Sequence, residues 1–247
     1  MNPLGDLRTA VGFLTRLPVR DTAELTPARF ARAALWFPVV GLIVGGLLGL
    51  TRIAADAAGV DPGPATVLAL LVAILVTGGL HEDGLADCAD ALGAHTSRAR
   101  KLEILRDSRV GTFGALAVAF ALLLPFAALA PLDGEEVLRA ALVGHALGRW
   151  STLPLARLLP PAQPDGAGAL LRVGWPYVAG ATAVAVAVAL LAGGAGPGAA
   201  ALGVALAVMA LCSVAAVRSF GGASGDVYGA TNKLVELSAY VTLAAFW

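Results

Sequence analysis

The chain has little charge. Asp, Glu, Lys and Arg make up only 14% of its 247 residues, whereas about 25% is usual in a soluble domain. Hydrophobic residues account for 58%. Because so few charges cannot cover the surface of a soluble domain, the composition indicates an integral membrane protein. At this length there is room for one helical bundle with short loops, so residues 1–247 are predicted to form a single membrane domain.

The chain also has few cysteines and no net charge. Cys88 and Cys212 are its only cysteines, and their unlike contexts argue against a disulfide. The formal net charge is zero, so nothing favours a nucleic-acid partner. The sequence has no Ser-His-Asp arrangement, Walker loop, dinucleotide fingerprint or cysteine zinc site. Residues 1–20 lack the pattern of a cleaved signal peptide, and none is expected.

What the chain does have is long apolar runs. Seven of them are predicted to be membrane-spanning helices, with six spans as the alternative. The runs lie at about 27–55, 65–80, 112–131, 137–156, 175–193, 198–217 and 234–247. Ahead of them, apolar residues recur at helical spacing from Leu4 to Leu14, which predicts an amphipathic helix within residues 1–20 that lies at the membrane surface. The predicted fold is an all-α transmembrane bundle.

Basic residues choose between the two orientations of these spans. One set of loops holds most of them, and the other holds only Arg52 and Arg139. The larger set comprises Arg8, Arg16, Arg20, Arg29, Arg32, Arg98, Arg100, Lys101, Arg106, Arg109, Arg157, Arg172, Arg218 and Lys233. By the positive-inside rule the larger set is cytoplasmic, together with the N-terminus. The three polar motifs described below then share the cytoplasmic face.

Small residues line one face of the first predicted span. Gly41, Gly45 and Gly49 stand four residues apart, a spacing that lets two helices approach closely. Either this face packs inside the bundle or it forms a dimer interface, so an oligomer through it is one of two predictions.

Three aspartates follow the second apolar run. Asp83, Asp87 and Asp90 stand at i, i+4 and i+7, within an arc of about 60° on one helix face. Neighbouring carboxylates about 6 Å apart repel each other, so the stripe needs a cation or shared protons. Oxygen ligands favour Mg²⁺. A solvated helix face is the alternative, but the helix is expected to continue the span and to turn its acids toward the bundle interior.

Two neighbours of this stripe have less certain roles. Glu82 lies about 100° from Asp83 around the helix, so it is either a ligand from the flank or a surface residue. His81 either orients a ligand or caps the span.

The segment before the third run is basic. Arg106, Ser108, Arg109 and the following glycines suit a phosphate cradle, because arginine and backbone N–H groups bind phosphate oxygens. The alternative is a basic turn that is anchored to lipid headgroups.

A glycine-rich segment, residues 221–232, leads into the last run. Asp226, Asn232 and Glu236 offer oxygen ligands or hydrogen-bond partners, and Lys233 can pair with any of them. A plain loop would also explain the glycines.

Arg149 lies in the middle of a span, so it is expected to reach an acidic partner or an anionic substrate. Together, metal-binding carboxylates and phosphate-binding arginines suit transfer between a phosphoanhydride and an alcohol.

Four motifs resemble the cobalamin (5′-phosphate) synthase family, the adenosylcobinamide-GDP ribazoletransferases. They are Thr15-Arg16-Leu17-Pro18, Gly78-Gly79-Leu80-His81-Glu82-Asp83-Gly84-Leu85-Ala86-Asp87-Cys88-Ala89-Asp90, Arg106-Asp107-Ser108-Arg109-Val110-Gly111, and Ser224-Gly225-Asp226 with Gly229-Ala230. The resemblance spans almost the whole chain. It implies a polytopic inner-membrane enzyme that joins adenosylcobinamide-GDP to α-ribazole or its 5′-phosphate and releases GMP, with Mg²⁺, in the last step of nucleotide-loop assembly of vitamin B12.

The motifs and this resemblance together assign the expected site residues. The metal ligands are Glu82, Asp83, Asp87 and Asp90. The catalytic groups are Asp87, Asp90, Asp107 and Asp226. The contacts to phosphate or substrate are Arg16, His81, Arg106, Ser108, Arg109, Arg149, Ser224 and Asn232. The chain departs from the family at Ala91, where glycine is frequent, and at Ser224, where threonine is frequent.

Two other classes of membrane protein would also carry acidic residues near the membrane, but the sequence matches neither. A CDP-alcohol phosphotransferase that makes lipids requires the pattern D-G-x2-A-R, but Asp87-Cys88 stands where Ala-Arg should be. A secondary transporter should show internal repeats and a site at the membrane midplane, and the sequence shows neither.

Overall fold

The computed structural model describes residues 2–20, 24, 26–163 and 171–247. These residues form eleven α-helices and no strand. The helices are α1 (Pro3–Leu14), α2 (Pro27–Ala34), α3 (Phe37–Ala57), α4 (Pro62–Thr77), α5 (Leu80–Gly93), α6 (Arg98–Ile104), α7 (Thr112–Leu129), α8 (Gly134–Leu158), α9 (Trp175–Ala192), α10 (Ala195–Phe220) and α11 (Gly225–Ala244). The prediction of an all-α fold is confirmed.

Four of the described helices, α3, α7, α9 and α10, are long and apolar enough to cross a membrane. α4 and α5 pass the same test as a pair but are bent by 86°, which allows up to five spans. α8 and α11 are long as well, yet polar and charged residues interrupt them. The single span predicted over 27–55 is instead two helices, α2 and α3, because a new helix starts at Phe37 with Pro38 in its first turn. The total of seven spans stays a prediction.

α1 occupies most of the predicted surface helix; Met1 lies outside the described residues. The side chain of Asn2 caps α1 by accepting from the backbone N–H of Gly5. Asp6 on α1 pairs with Arg32 on α2 at 3.2 Å. α1 therefore packs against other helices of the bundle, and its place at the membrane surface stays a prediction.

The glycine face of α3 packs against α8 of the same chain. A Cβ added to Gly41 would lie 2.4 Å from the carbonyl oxygen of His145, and one added to Gly45 would lie 2.4 Å from that of Ala141. Real Cβ atoms do not come this close, so only glycine permits the contact. Of the two predictions for Gly41, Gly45 and Gly49, packing inside the bundle is the one that the structure shows, and nothing supports an oligomer through this face, because α8 covers it.

α5 turns sharply away from α4. Gly78 and Gly79, which join the two helices, have φ angles of +68° and +72°, a region that favours glycine. The resulting bend of 86° corrects the expectation that the acidic helix continues the preceding span. Arg16 fills the inside of the bend: its backbone N–H donates to the carbonyl of Val76 at 2.7 Å, and its side chain lies against Gly78.

Arg52 and Arg139, the two basic residues outside the larger set, cap the carboxyl ends of helices. They lie at the end of the bundle away from the bend between α4 and α5. Arg52 is buried and donates to the carbonyls of Leu129 and Leu132, at 3.2 and 2.7 Å, beyond the end of α7. Arg139 donates to the carbonyl of Ala192 at the end of α9, at 2.7 Å. A cation at a helix carboxyl end satisfies unpaired carbonyls and the helix dipole, so both arginines stabilise the fold far from the polar motifs.

Candidate active site

The acidic helix is tied to the start of α7 by Asp90. One oxygen of Asp90 accepts from the N–H of Gly111 at 2.7 Å, and the other accepts from the N–H of Gly114 at 2.8 Å. These N–H groups belong to the first turn of α7, where no partner exists within the helix. Asp90 thus caps α7 from a neighbouring helix and brings the acidic motif to the basic segment.

The glycine-rich motif reaches the same place through a close contact of two helices. A Cβ on Gly84 of α5 would lie 2.9 Å from the carbonyl oxygen of Asp226 and 3.3 Å from the Cα of Gly229. The bare glycine therefore lets the first turn of α11 rest on α5. Ser224 caps α11 by accepting from the N–H of Val227 at 3.2 Å, and it donates to Asp226 at 3.3 Å.

This contact gathers four aspartates from two helices. Asp87 lies within electrostatic range of Asp83, Asp226 and Asp90, and Asp226 is in range of Asp83. Asp83 is exposed and Asp87 is half-buried, so they do not face the bundle interior as the sequence suggested. No described residue donates a hydrogen bond to the side chain of Asp83 or Asp87, and none forms an ion pair with either of them. Both are therefore available to a ligand.

Glu82 points the other way, into the core. It is 9% exposed, and its Oε1 lies 2.8 Å from Nζ of Lys233 on α11. Lys233 also pairs with Glu236 at 2.7 Å. The structure therefore places Glu82 in a buried ion-pair network, although it also lines a cavity beside Asp83.

The network continues onto α8. Oε2 of Glu236 lies 3.0 Å from Nη1 of Arg149 and 2.7 Å from Nδ1 of His145. Of the two predictions for Arg149, the acidic partner is the one that the structure shows. Two glutamates here meet one lysine and one arginine, so the formal charges balance, as buried charges require.

Two other predicted substrate contacts also lie in the core. His81 is 5% exposed and sits in the electrostatic field of Arg149 and Glu236. Asn232 is 1% exposed and lies against Gly148 of α8. Neither is grouped with the aspartates, although His81 reaches the wall of a cavity described below.

The basic segment before α7 is exposed, and its two arginines, Arg106 and Arg109, donate hydrogen bonds to other side chains of the protein. The Arg109 side chain donates to Asp107 through Nε and Nη2, at 2.9 and 2.6 Å, and its backbone N–H donates at 3.1 Å. These hydrogen bonds lower the pKa of the Asp107 carboxyl to about 2. Arg106 donates to the side chain of Gln163, and Ser108 is exposed. Asp107 thus holds the guanidinium of Arg109 in one orientation.

Two cavities open beside the aspartates, and Asp83 lines both. The larger, of about 560 Å³, is also lined by Arg16, Glu82 and Val110. The smaller, of about 260 Å³, is lined by Asp226 and a set of apolar side chains. A carboxylate that stands between two cavities can act on two bound molecules at once.

The aspartates suit a shared magnesium ion better than a closed metal cage. Among the described residues no three His, Cys, Asp or Glu side chains are grouped so that they could hold a metal ion. Mg²⁺, however, is usually held by one or two carboxylates together with substrate phosphates. Asp83 and Asp87 supply such oxygens, whereas Asp90 and Glu82 are already bonded within the protein.

Sequence reasoning missed two parts of this region. The buried network was not foreseen as a unit, although Lys233 and Glu236 stand at i and i+3 on one helix face. The aromatic lining of the smaller cavity comes from Phe13, Phe30 and Phe37, which no local pattern connects.

A membrane-embedded helical bundle with free aspartates between two cavities, and an arginine in the larger one, belongs to the class of enzymes that transfer phosphorylated groups. The chain is a member of the cobalamin-5-phosphate synthase family, whose model matches residues 6–244.

Curated relatives match it over nearly its whole length. A protein of Bradyrhizobium diazoefficiens named adenosylcobinamide-GDP ribazoletransferase is 39% identical, covering 99% of this chain and 95% of its own. Proteins of the same name from Mesorhizobium japonicum and Chlorobaculum tepidum are 39% and 37% identical; they cover 95% and 99% of this chain and 91% and 96% of their own. No solved structure matches the chain.

Proposed function

We propose that the chain is an adenosylcobinamide-GDP ribazoletransferase. It joins adenosylcobinamide-GDP to α-ribazole or its 5′-phosphate and releases GMP, in the final step of cobalamin synthesis. Family membership and the name shared by the relatives support this function. The structural observation that carries it is the position of Asp83 in the walls of both cavities, because a transferase must bring two substrates to one point.

The reaction forms one bond and breaks another at a single phosphorus. A ribose hydroxyl oxygen of the acceptor attacks the phosphorus that carries the cobinamide, and the bond from that phosphorus to the bridging oxygen of the anhydride breaks. GMP leaves with the electron pair of that bond. Because the 5′-phosphorylated acceptor has no free 5′-hydroxyl, the attacking group is a secondary hydroxyl of the ribose. Its proton needs an acceptor at the site.

Asp226 is the carboxylate best placed to take this proton. It lines the smaller cavity, and its side chain is oriented by the hydroxyl of Ser224 at 3.3 Å. Asp90, an alternative from the sequence, has both oxygens occupied by backbone N–H groups. Asp87 lies within electrostatic range of Asp83, Asp226 and Asp90, but it is not among the residues that line the smaller cavity.

Arginines bind the negative charge of the diphosphate. Arg16 lines the larger cavity beside Asp83, where it would contact the anhydride. Arg109 is 84% exposed and donates its fork of N–H groups to Asp107. A phosphate oxygen pair has the same geometry as a carboxylate, so the substrate would replace Asp107 as the acceptor of these hydrogen bonds.

Mg²⁺ is part of the proposal. Asp83 and Asp87 would hold it together with phosphate oxygens of adenosylcobinamide-GDP. The ion would supply charge neutralisation for the leaving GMP.

We also propose that the enzyme lies in the inner membrane with this site on the cytoplasmic face. The site end of the bundle carries Arg16, Arg106 and Arg109, whereas Arg52 and Arg139 are bonded to carbonyls at the other end. The distribution supports this orientation through the positive-inside rule.

The experiment is release of GMP from adenosylcobinamide-GDP by the purified protein in detergent, with and without α-ribazole. We expect release only when the acceptor and Mg²⁺ are both present. A lipid phosphotransferase would release CMP from a CDP-alcohol instead, and a transporter would release no nucleotide. Failure of GMP release in a folded preparation would overturn the proposal.

A further inference from the structure

The smaller cavity has an aromatic wall built from three helices. Phe13 of α1 meets Phe30 of α2 edge to face, with ring centroids 4.7 Å apart. Phe37 of α3 stacks on Phe13 at 6.0 Å and meets Phe30 at 6.2 Å. Phe30 and Phe37 are buried, so the wall is fixed by packing. All three rings line the cavity of about 260 Å³.

The polar side chains of this cavity come from other helices than its three phenylalanines. His81 and Asp83 belong to α5, Asp226 and Tyr228 to α11, and Thr152 to α8. Neither Arg nor Lys is among the described residues that line the cavity. A cavity with aromatic rings, acceptor oxygens and no arginine or lysine among its described lining residues does not suit a diphosphate; it suits a neutral flat ring that carries hydroxyl groups.

The two cavities also differ in size. Sites for small organic ligands have volumes of about 300–1,000 Å³. The cavity that Arg16 lines has a volume of about 560 Å³, which lies within that range. It is also open to the outside, so a large corrinoid can extend beyond it. The aromatic cavity, at about 260 Å³, admits only the smaller of the two proposed substrates.

We propose that the aromatic cavity binds the benzimidazole base of the α-ribazole acceptor, with its ribose directed to Asp226 and Asp83. This inference rests on the proposed function and adds to it which substrate occupies which cavity. The base lies against the rings of Phe30 and Phe37, and the two substrates meet at Asp83, a carboxylate that lines both cavities.

The first test is a pair of variants that line only the smaller cavity. Phe30→Leu and Phe37→Leu keep an apolar side chain but remove the ring. We expect the KM for α-ribazole to rise by about 3- to 10-fold in each, the effect of a lost aromatic contact, while the KM for adenosylcobinamide-GDP changes by less than about twofold. The matched control is Phe126→Leu, a half-buried phenylalanine of α7 at the far end of the bundle, which should leave both values unchanged.

The second test needs no variant. Wild-type protein is assayed with α-ribazole and with the same nucleoside carrying a single-ring imidazole base. We expect the KM to be about tenfold higher for the imidazole nucleoside, because it leaves the aromatic wall uncovered. In Phe30→Leu that ratio should shrink.

These outcomes separate the inference from the function on which it rests. Normal GMP release with an unchanged KM for α-ribazole in both phenylalanine variants would overturn the assignment of the cavity, as would equal KM values for the two bases; a lipid chain in the cavity would give this result. Absence of GMP release from wild-type protein would instead overturn the proposed function.

Discussion

At the scale of single residues, the carboxylates of the acidic motif have different surroundings. Asp90 accepts two backbone N–H groups, Glu82 is bonded to Lys233, and Asp83 is exposed. Helical spacing was enough to predict which of them share a face. It could not give their partners, because these come from α7 and α11, far away in the sequence.

Loss of charge at the free aspartates should abolish turnover. We expect Asp83→Asn and Asp226→Asn each to lower kcat for GMP release by about 100-fold or more, because an amide neither holds a hard cation nor accepts the proton. Asp61→Asn, at an exposed helix start that makes no side-chain cap, serves as the control and should keep normal turnover. Activity within about threefold of wild type in both site variants would exclude these aspartates from the reaction.

Glu82→Gln should reduce stability rather than metal affinity. The change leaves Lys233 with one carboxylate in a buried setting, and breaking a buried ion pair costs about 3–5 kcal/mol. We expect a lower melting temperature of the detergent-solubilised protein and an unchanged Mg²⁺ concentration for half-maximal activity. If excess Mg²⁺ restored activity at a normal melting temperature, Glu82 would be a metal ligand, as the sequence suggested.

At the scale of helices, the sequence predicts most of the helices. It does not predict where a run divides into two helices, as between α2 and α3, or where the chain bends, as between α4 and α5. Every apolar run contains a helix, since hydrophobicity is a local property of the sequence. The bend after α4 depends on Gly78 and Gly79, and its 86° angle is set by packing of α5 on α11. No local pattern specifies that contact.

The contact of α3 with α8 can be tested with two glycines that are neighbours in sequence. In Gly45→Ala the new Cβ would lie 2.4 Å from the carbonyl oxygen of Ala141, whereas in Gly46→Ala it would meet nothing within 4 Å. We expect Gly45→Ala to destabilise the protein by about 1–3 kcal/mol and Gly46→Ala to be neutral or slightly stabilising. The measurement is thermal unfolding of both variants in the same detergent. Equal melting temperatures would show that the helices are not in close contact.

At the scale of the whole molecule, the two ends of the bundle differ. The acidic, basic and glycine-rich motifs meet at one end, while the other end is closed by Arg52 and Arg139. The sequence predicted this convergence from the order of loops alone. The two cavities could not be predicted, because their walls combine residues of eight helices: α1, α2, α3, α4, α5, α7, α8 and α11.

Orientation in the membrane can be read by labelling exposed positions at each end. A cysteine at His95, after α5, should react with an impermeant thiol reagent only after the membrane is opened, whereas one at Glu135 should react in intact cells. Both positions are exposed, and labelling of the parent protein gives the background from its two native cysteines. Reaction at His95 in intact cells would reverse the proposed orientation.

The glycine face of α3 sets a condition on how this protein is made. Its partner α8 lies on the order of 100 residues further along the chain, which at about 5–20 residues per second is synthesised some 5–20 s later. During that interval the groove at Gly41 and Gly45 has no α8 to cover it. Assembly of the bundle therefore includes a late step, in which α8 packs into this groove before it can form the polar network that it shares with α11.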